Sequence, residues 1–551
     1  MEQWRLFLAI VLSIFVFFLW EVFFVSQQEL PPQRPDRATE TRQTTEGPVP
    51  VEEAPASRTT GTPDQEMPDK PLKTVTVQSS LYRAEISEQG AALTSFVLRK
   101  YREDAAPDSP RQQLIPENNQ AGTALVHLAE ADADKWTRAR FTSTYSGDTL
   151  KIGNSERSIS FFWESPEGLV IEKQYTFIPD SYLIKLHVVV KNLSDRPVND
   201  DLVLTMQTPT PEERSRFSFE GPFAYINGEL EEIDIDDIEE KSLYSGNIEW
   251  TGLCDRYFMT VVVPEESRDT SFKLAREPKT GMTSVNYIQP GQSILADMQN
   301  VYNFSLYLGP KRMSTLRHYE NNLDEAINFG FFDIIAKPCL WLMNFLHDHF
   351  IPNYGVAIIL LTILFKIIFW PLGSKSYKSM AEMKKLQPLM AEIRQKYKDD
   401  KKKMNEEVMR LYKTYKVNPM SGCLPMVVQI PVFIAFYRML YEAIELRHAP
   451  FILWINDLSA PDRLFNFDIS IPLMLPPYGI PVLTIIMGAT MFLQQKLSPP
   501  PGDPSQAKFM MMMPLVLTVI FVNFPAGLVL YWLVNNIVSI AQQYYITKKH
   551  V

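Results

Sequence analysis

Apolar and polar positions divide the 551-residue chain into three textures: an apolar end, a polar and alternating middle, and a strongly apolar final third. The first apolar stretch runs from Leu6 to Trp20 and continues past Glu21 to Val25. About twenty such residues can span a bilayer and are long for a cleaved signal. No small-x-small cleavage pattern follows, so residues 1–25 read as a transmembrane signal anchor. Residues 26–72 are rich in Pro, Thr, Glu, Gln and Arg, and no aromatic occurs between Phe24 and Tyr82. Such a composition cannot bury a core and reads as a disordered linker. From 73 to 328 short alternating runs recur, among them Leu169-Val-Ile-Glu-Lys-Gln-Tyr-Thr-Phe177 and Tyr182-Leu-Ile-Lys-Leu-His-Val-Val-Val190, with turn residues between them. Alternation of period two predicts strands, here enough for a large β-sandwich. The acidic run 229–240 reads as a solvated loop.

Residues 329–350 mix aromatic, aliphatic and polar positions and predict an amphipathic helix lying in a membrane interface. The next apolar stretch begins at Tyr354, too soon for a full crossing before it. His347 and His349 stand two apart, which does not put them on one helix face; they suggest no metal site. Five further spans are expected near 354–372, 423–441, 479–497, 509–524 and 528–546. Several are short or carry proline (Pro425, Pro431, Pro481, Pro514). Short spans are accommodated partly by thinning the bilayer.

Lys366 interrupts the first of these five, in Leu361-Thr-Ile-Leu-Phe-Lys-Ile-Ile-Phe-Trp-Pro371. A cation at a helix centre costs roughly 2.5–3.5 kcal/mol on insertion scales. Intramembrane charges usually face a bundle interior or a watery cavity. Two readings stand: a polar cavity around Lys366, or snorkelling of the ammonium toward headgroups.

Charge changes the picture next. The formal net charge is −10, yet residues 373–418 hold 13 Lys+Arg against 6 Asp+Glu, so a block of +7 interrupts an acidic chain. Within it Met383, Leu386, Leu389, Ile393 and Tyr397 recur at three or four residues, as do Val408, Leu411, Tyr412 and Tyr415. Asp399-Asp400-Lys401 can turn the chain. This predicts a two-helix hairpin with facing apolar stripes and a kink at Pro388. Its cations, including Lys384, Lys385, Arg394, Lys401, Lys402 and Lys403, suit an anionic docking partner. Positive flanks stay cytoplasmic, which places this block and Lys548-Lys549-His550 inside. Six spans then put the β domain outside.

Candidate chemistry is sparse. Cys254, Cys339 and Cys423 are scattered and lack metal or disulfide spacing. Met420-Ser-Gly-Cys423 imitates a lipidation box but lies mid-chain. There is no P-loop, HExxH, CxxC or nucleophile elbow, and the spans hold no protease constellation. No cofactor, no DNA and no covalent chemistry is expected, so the chain does not read as an enzyme.

Three segments carry a resemblance. Asn418-Pro-Met-Ser-Gly-Cys-Leu-Pro-Met-Val-Val-Gln-Ile-Pro431, Glu445-Leu-Arg-His-Ala-Pro-Phe-Ile-Leu-Trp-Ile-Asn-Asp-Leu-Ser459 and Phe524-Pro-Ala-Gly-Leu-Val-Leu-Tyr-Trp532 resemble the YidC/Oxa/Alb family of membrane protein insertases, in order and with its spacing. The anchor and large outer β domain are similar to the Gram-negative form, whose β domain is similar to mutarotase supersandwiches without implying sugar chemistry. The resemblance implies an inner-membrane insertase and chaperone with a hydrophilic groove in the inner leaflet. Its signature groove cation is usually Arg; Lys366 stands at the matching place, keeping the charge but not the planar fork. Thr362, Gln429, Tyr531 and Trp532 match groove or groove-lining positions. Implied partners are nascent membrane proteins, the Sec translocon, membrane lipid, and a ribosome or targeting receptor. The chain as written ends three residues after Lys548, so the hairpin rather than a basic tail is the expected docking element.

Such a groove would lower the cost of carrying polar flanks across the bilayer. Partition of the inserting segment, at about 25 cal/mol per Å² of apolar surface, would drive the step. Methionines near the spans (Met487, Met491 and residues 510–513) could give an adaptable sliding surface or be ordinary core. Two rivals remain: a transporter or channel using the intramembrane lysine, and a membrane-anchored carbohydrate-active enzyme carried by the β domain.

Overall fold

The computed structural model describes residues 72–211, 218–266, 270–278, 280–415, 417, 424–498 and 504–550. The expected signal anchor, and the expected linker up to residue 71, lie outside the described residues, as do 418–423.

The alternating segments form a β domain. It holds one nine-stranded sheet and two five-stranded sheets. Pairing is antiparallel except where Thr74–Gln78 runs parallel to Thr149–Lys151. The long strand Leu183–Asn192 joins Leu169–Phe177 on one side and Gln299–Pro310 on the other. In Leu169–Phe177 burial alternates at every residue, so Leu169, Ile171, Tyr175 and Phe177 point into the core. Inward packing of such apolar faces stabilises each side chain by roughly 1.5–3 kcal/mol. Lys173 occupies the remaining inward position and is fully buried.

The acidic run 229–240 departs from the solvated loop expected. Glu229–Glu232 is a strand and Ile235–Glu239 a 3₁₀ turn. Ile233, Ile235 and Ile238 are buried. The isoleucines anchor the run while its carboxylates face solvent, and the Asp234 side chain accepts from the Asp236 amide to start the turn.

Nine helices organise the rest of the described chain. Helix α1 (Asp333–His349) buries Ala336, Cys339, Leu340 and Met343 on one face. Ile334 and Trp341 remain exposed on the other. Helix α2 (Tyr354–Ile368) is capped by Asn353, whose side chain accepts from the Val356 amide. It ends before the expected limit of 372, because α3 (Trp370–Lys385) starts there with a bend of 66°. Pro371 explains the break: it lacks the N–H that would bond the Ile367 carbonyl and carry α2 onward.

The basic block forms three helices, not two. Helix α3 ends at Lys385 and α4 (Gln387–Lys396) follows with Pro388 in its first turn, so the chain breaks at Leu386 where a kink was expected. Helix α5 (Lys401–Thr414) packs against α4, capped by Asp400. The Tyr412 hydroxyl donates to Met390 Sδ across that contact. Leu386 and Met390 are buried, while Tyr415 is exposed at the end of its stripe.

Helices α6 (Leu424–Glu442), α7 (Val482–Leu497), α8 (Pro504–Phe521) and α9 (Ala526–His550) complete the chain. Among the described residues no single helix is long and apolar enough to cross a membrane; α2 and α3 pass that test only as a bent pair. At 1.5 Å per residue the 15 residues of α2 rise about 22 Å and the 16 of α7 about 24 Å, short of a ~30 Å hydrocarbon core.

Two arginines join the β domain to the helices in opposite directions. Arg256 reaches from the β domain, donating to the Tyr441 carbonyl and lying 3.7 Å over the Tyr441 ring. Arg447 reaches back, donating to the Glu103 carbonyl and Gln112 Oε1 and lying 5.1 Å over Phe258. Between them Glu445 is buried, accepts from Asn344 Nδ2 at 3.2 Å, and faces Arg312 at 4.0 Å. Burial raises its carboxyl pKa above the ordinary value, against the pull of Arg312.

Candidate functional site

The helical layer converges on Lys366. It sits in the last turn of α2 with Thr362 one turn before it, so both face the same side. Lys366 is 7 % exposed and Thr362 1 %. The ammonium does not run out along the helix. It turns across to α9 and donates to Ser539 Oγ at 2.8 Å. Ser539 in turn donates to the Asn535 carbonyl at 2.7 Å, and Thr362 to the Ile358 carbonyl at 2.7 Å. Each hydroxyl thus spends its proton on its own helix and keeps lone pairs for a cation or donor.

A small pocket opens beside these groups. Thr362, Phe365, Lys366 and Phe369 line it from α2 and its end, Gln429 and Val432 from α6, and Tyr531 and Asn535 from α9. Gln429 is half-buried. Tyr531 is held by stacking on Phe436, with centroids 4.9 Å apart and planes 21° apart. The pocket thus has an aromatic wall and a polar floor of amide, hydroxyl and ammonium.

Of the residues expected at the groove, Lys366, Thr362, Gln429 and Tyr531 come together. Trp532 does not line the pocket. It packs edge-on against Phe433 at 4.6 Å and Phe521 at 4.9 Å. Successive residues on a helix are about 100° apart, so Tyr531 and Trp532 cannot face one space. Trp532 instead wedges α9 against α6 and α8.

Asn535 and Ser539 were missed in the sequence, although the signal is present. Asn535, Asn536, Ser539, Gln542 and Gln543 recur at helical spacing inside an apolar stretch. Asn536 donates to Thr490 Oγ1 on α7 at 3.3 Å, and Gln542 to the Trp370 carbonyl at 3.2 Å. All but the half-buried Asn535 are buried. The stripe ties α9 to its neighbours and carries the partner of Lys366.

The expected docking cations lie apart from this pocket. Lys384 and Lys385 are exposed in the last turn of α3, Arg394 is half-buried on α4, and Lys402 and Lys403 are exposed at the start of α5. Lys403 lies 5.5 Å over the Tyr397 ring. Lys401 opens α5. His347 stacks on Tyr354 at 3.9 Å, and no cluster of metal-ligating side chains occurs among the described residues.

Two family models match the chain: "YidC periplasmic domain" over residues 74–342 and "60Kd inner membrane protein" over residues 345–551. A membrane protein insertase YidC of Syntrophobacter fumaroxidans is 40% identical over 560 residues, covering 99% of both chains. Its counterpart from Pelobacter propionicus is 38% identical over 552 residues, again covering 99% of both. Among solved structures, a crystal structure of an active YidC insertase with its first transmembrane domain resolved covers 86% of this chain and 94% of its own, at 19% identity and a TM-score of 0.38.

Proposed function

This chain belongs to the YidC family of membrane protein insertases and serves the insertion of membrane proteins, and we propose that it does so through the pocket beside Lys366. The family acts in membrane protein insertion rather than as a catalytic enzyme, at the inner membrane and with a periplasmic domain. In our reading α2, α6, α7, α8 and α9 are the spans of the insertase core and residues 1–25 a sixth. The block 373–418 is then a cytoplasmic docking element, with its cations turned to a ribosome or targeting receptor, and the Sec translocon a partner for some substrates.

One observation carries the reading: Lys366 is buried between helices and, among the described residues, its ammonium has one side-chain hydroxyl as hydrogen-bond partner. An ammonium has three donors. A polar flank or carboxylate of an incoming segment could take the remaining capacity, supported by Gln429 and Asn535. Such groups would cost several kcal/mol each in bare hydrocarbon. The short helices α2 and α7 thin the apolar barrier that remains. The apolar part of the substrate would then leave sideways into lipid, where its burial drives the step. Tyr531 and Phe436 fix the aromatic wall against which it slides.

The test is insertion of a two-span substrate with an acidic translocated tail into liposomes holding the purified protein. Wild type and Lys366→Arg should insert it, and Lys366→Met should lose most of the activity. Equal insertion by all three would remove the charge from the mechanism.

A further inference from the structure

Between α6 and α7 the chain exposes apolar side chains that the pocket does not use. The segment 464–480 reads Leu-Phe-Asn-Phe-Asp-Ile-Ser-Ile-Pro-Leu-Met-Leu-Pro-Pro-Tyr-Gly-Ile, with Asp468 its only charge. Phe465 and Ile469 are each 72 % exposed, Leu473 64 % and Leu475 62 %. In water this cluster would cost about 25 cal/mol per Å². Soluble surfaces seldom gather so many apolar side chains without a partner.

The segment is built to hold them out. Leu464–Asn466 pairs with Gly479–Ile480 as a short ribbon, and the Phe467 amide donates to the Tyr478 carbonyl. Arg463 clips the base, donating to the Pro477 carbonyl at 2.9 Å and the Val522 carbonyl at 2.8 Å. Asn523, in the turn between α8 and α9, accepts from the Leu475 amide and donates to the Leu473 carbonyl, each at 2.9 Å. Phe465 (φ +54°) and Leu473 (φ +67°) sit in the left-handed region, which costs bulky residues about 1–2 kcal/mol each. The ribbon is therefore ordered from its base, and its conformation is disfavoured by local preference alone.

We propose that this ribbon is a lipid-seeking finger, docked in the headgroup and acyl boundary of the outer leaflet. The inference rests on our reading that α6, α7, α8 and α9 span the membrane. Under it the ribbon lies in the connection between the outer ends of α6 and α7, enters α7 directly, and is clipped to the outer turn of α8 and α9. Its apolar surface continues through Ile480 into the exposed Ile485 and Ile486 of α7. Irregular backbone is not tolerated deep in hydrocarbon because its polar groups go unpaired. Pro472, Pro476 and Pro477 reduce that cost by carrying no N–H. The two features together fix the depth as interfacial, where Asp468 and Tyr478 meet water and headgroups. The finger would hold the outer ends of three spans at a set height while the polar pocket opens toward the other leaflet.

The experiment uses the full-length protein with Cys254, Cys339 and Cys423 replaced by serine and one new cysteine, Leu473→Cys or Ile486→Cys, labelled with an environment-sensitive fluorophore. Each is reconstituted into phosphatidylethanolamine–phosphatidylglycerol vesicles bearing nitroxide near the headgroup or near the chain end. The Leu473 probe should be quenched at least about twofold more by the shallow nitroxide than by the deep one, and weakly by iodide in water. Strong iodide quenching, or protection from both iodide and nitroxide as in a contact between proteins, would overturn the proposal. The Ile486 probe separates the two failures. If it too escapes the nitroxides, the spanning reading falls; if it is quenched and the Leu473 probe is not, only the finger falls.

Discussion

Two buried lysines, one in each half of the molecule, meet opposite fates. Lys173 in the β domain is wholly enclosed and donates to the carbonyls of Gly90, Ala91 and Ala124 at 3.0, 2.8 and 2.7 Å. The turn that supplies the first two runs through left-handed Gly90 and Ala91, and at Gly90 a Cβ would approach the Thr137 carbonyl to 2.8 Å. Tyr175 adds a further donor to Ala91 at 2.7 Å. All three N–H groups of this ammonium are used, so nothing remains for a ligand. Lys366 is nearly as buried but donates to one side-chain hydroxyl beside a pocket. Burial alone does not distinguish a structural cation from a working one; the number of partners already in place does.

The sharpest way to break this comparison is to truncate both lysines alike. Lys173→Met should destabilise the β domain by about 3 kcal/mol or more, because buried carbonyls lose their donor. Chemical unfolding followed by tryptophan fluorescence reads this directly. A pH series adds a sign. Burial pulls the Lys173 pKa down from 10.5 to about 7, and its three acceptors oppose that pull. Wherever the native pKa lies below 10.5, the unfolded chain holds more protons between the two values. Stability should therefore rise with pH above about 7, by at most ~1.4 kcal/mol per unit, and Lys173→Met should lose that slope.

Lys366→Met should behave the other way. Insertion of an acidic-tailed substrate should fall about tenfold, equivalent to ~1.4 kcal/mol. Thermal stability should hold or rise, since replacing a poorly paired buried charge by an apolar side chain of similar size is often neutral or stabilising. A marked loss of stability would make Lys366 a second structural lysine.

A smaller effect is expected where the two halves meet. Arg447→Ala removes the donor to Glu103 and Gln112 and should cost about 1 kcal/mol of docking. Hydrogen exchange in residues 103–115 should quicken while the core of each half stays protected. The smallest effect belongs to Ser539→Ala. It frees Lys366 from its hydrogen bond to Ser539 without removing the charge, and insertion should change by no more than about threefold in either direction.

Much of this was legible from the sequence. Period-two alternation marked the strands, and the apolar final third with Lys366 inside it marked the helices. The family resemblance set Thr362 beside Lys366, and their spacing of four residues puts both on one helix face. The failures have physical causes. The acidic carboxylates of residues 229–240 masked the three buried isoleucines that anchor the run. Pro388 suggested a bend, and the chain instead breaks fully two residues before it, at Leu386, because Pro sits readily in a first turn. The resemblance set Trp532 with Tyr531 among groove or groove-lining positions; helical rotation turns its ring toward Phe433 and Phe521 instead of the pocket.

Sequence by itself determined which strongly periodic segments would be strand or helix, and where charge would be expensive, because those follow from local periodicity and transfer energy. It could not say which lysine would find three carbonyls and which a lone hydroxyl. Lys173 lies 49 residues from Ala124 and Lys366 lies 173 from Ser539. Partners that distant are chosen by how sheets and helices pack, and that choice alone separates a sealed cation from an available one.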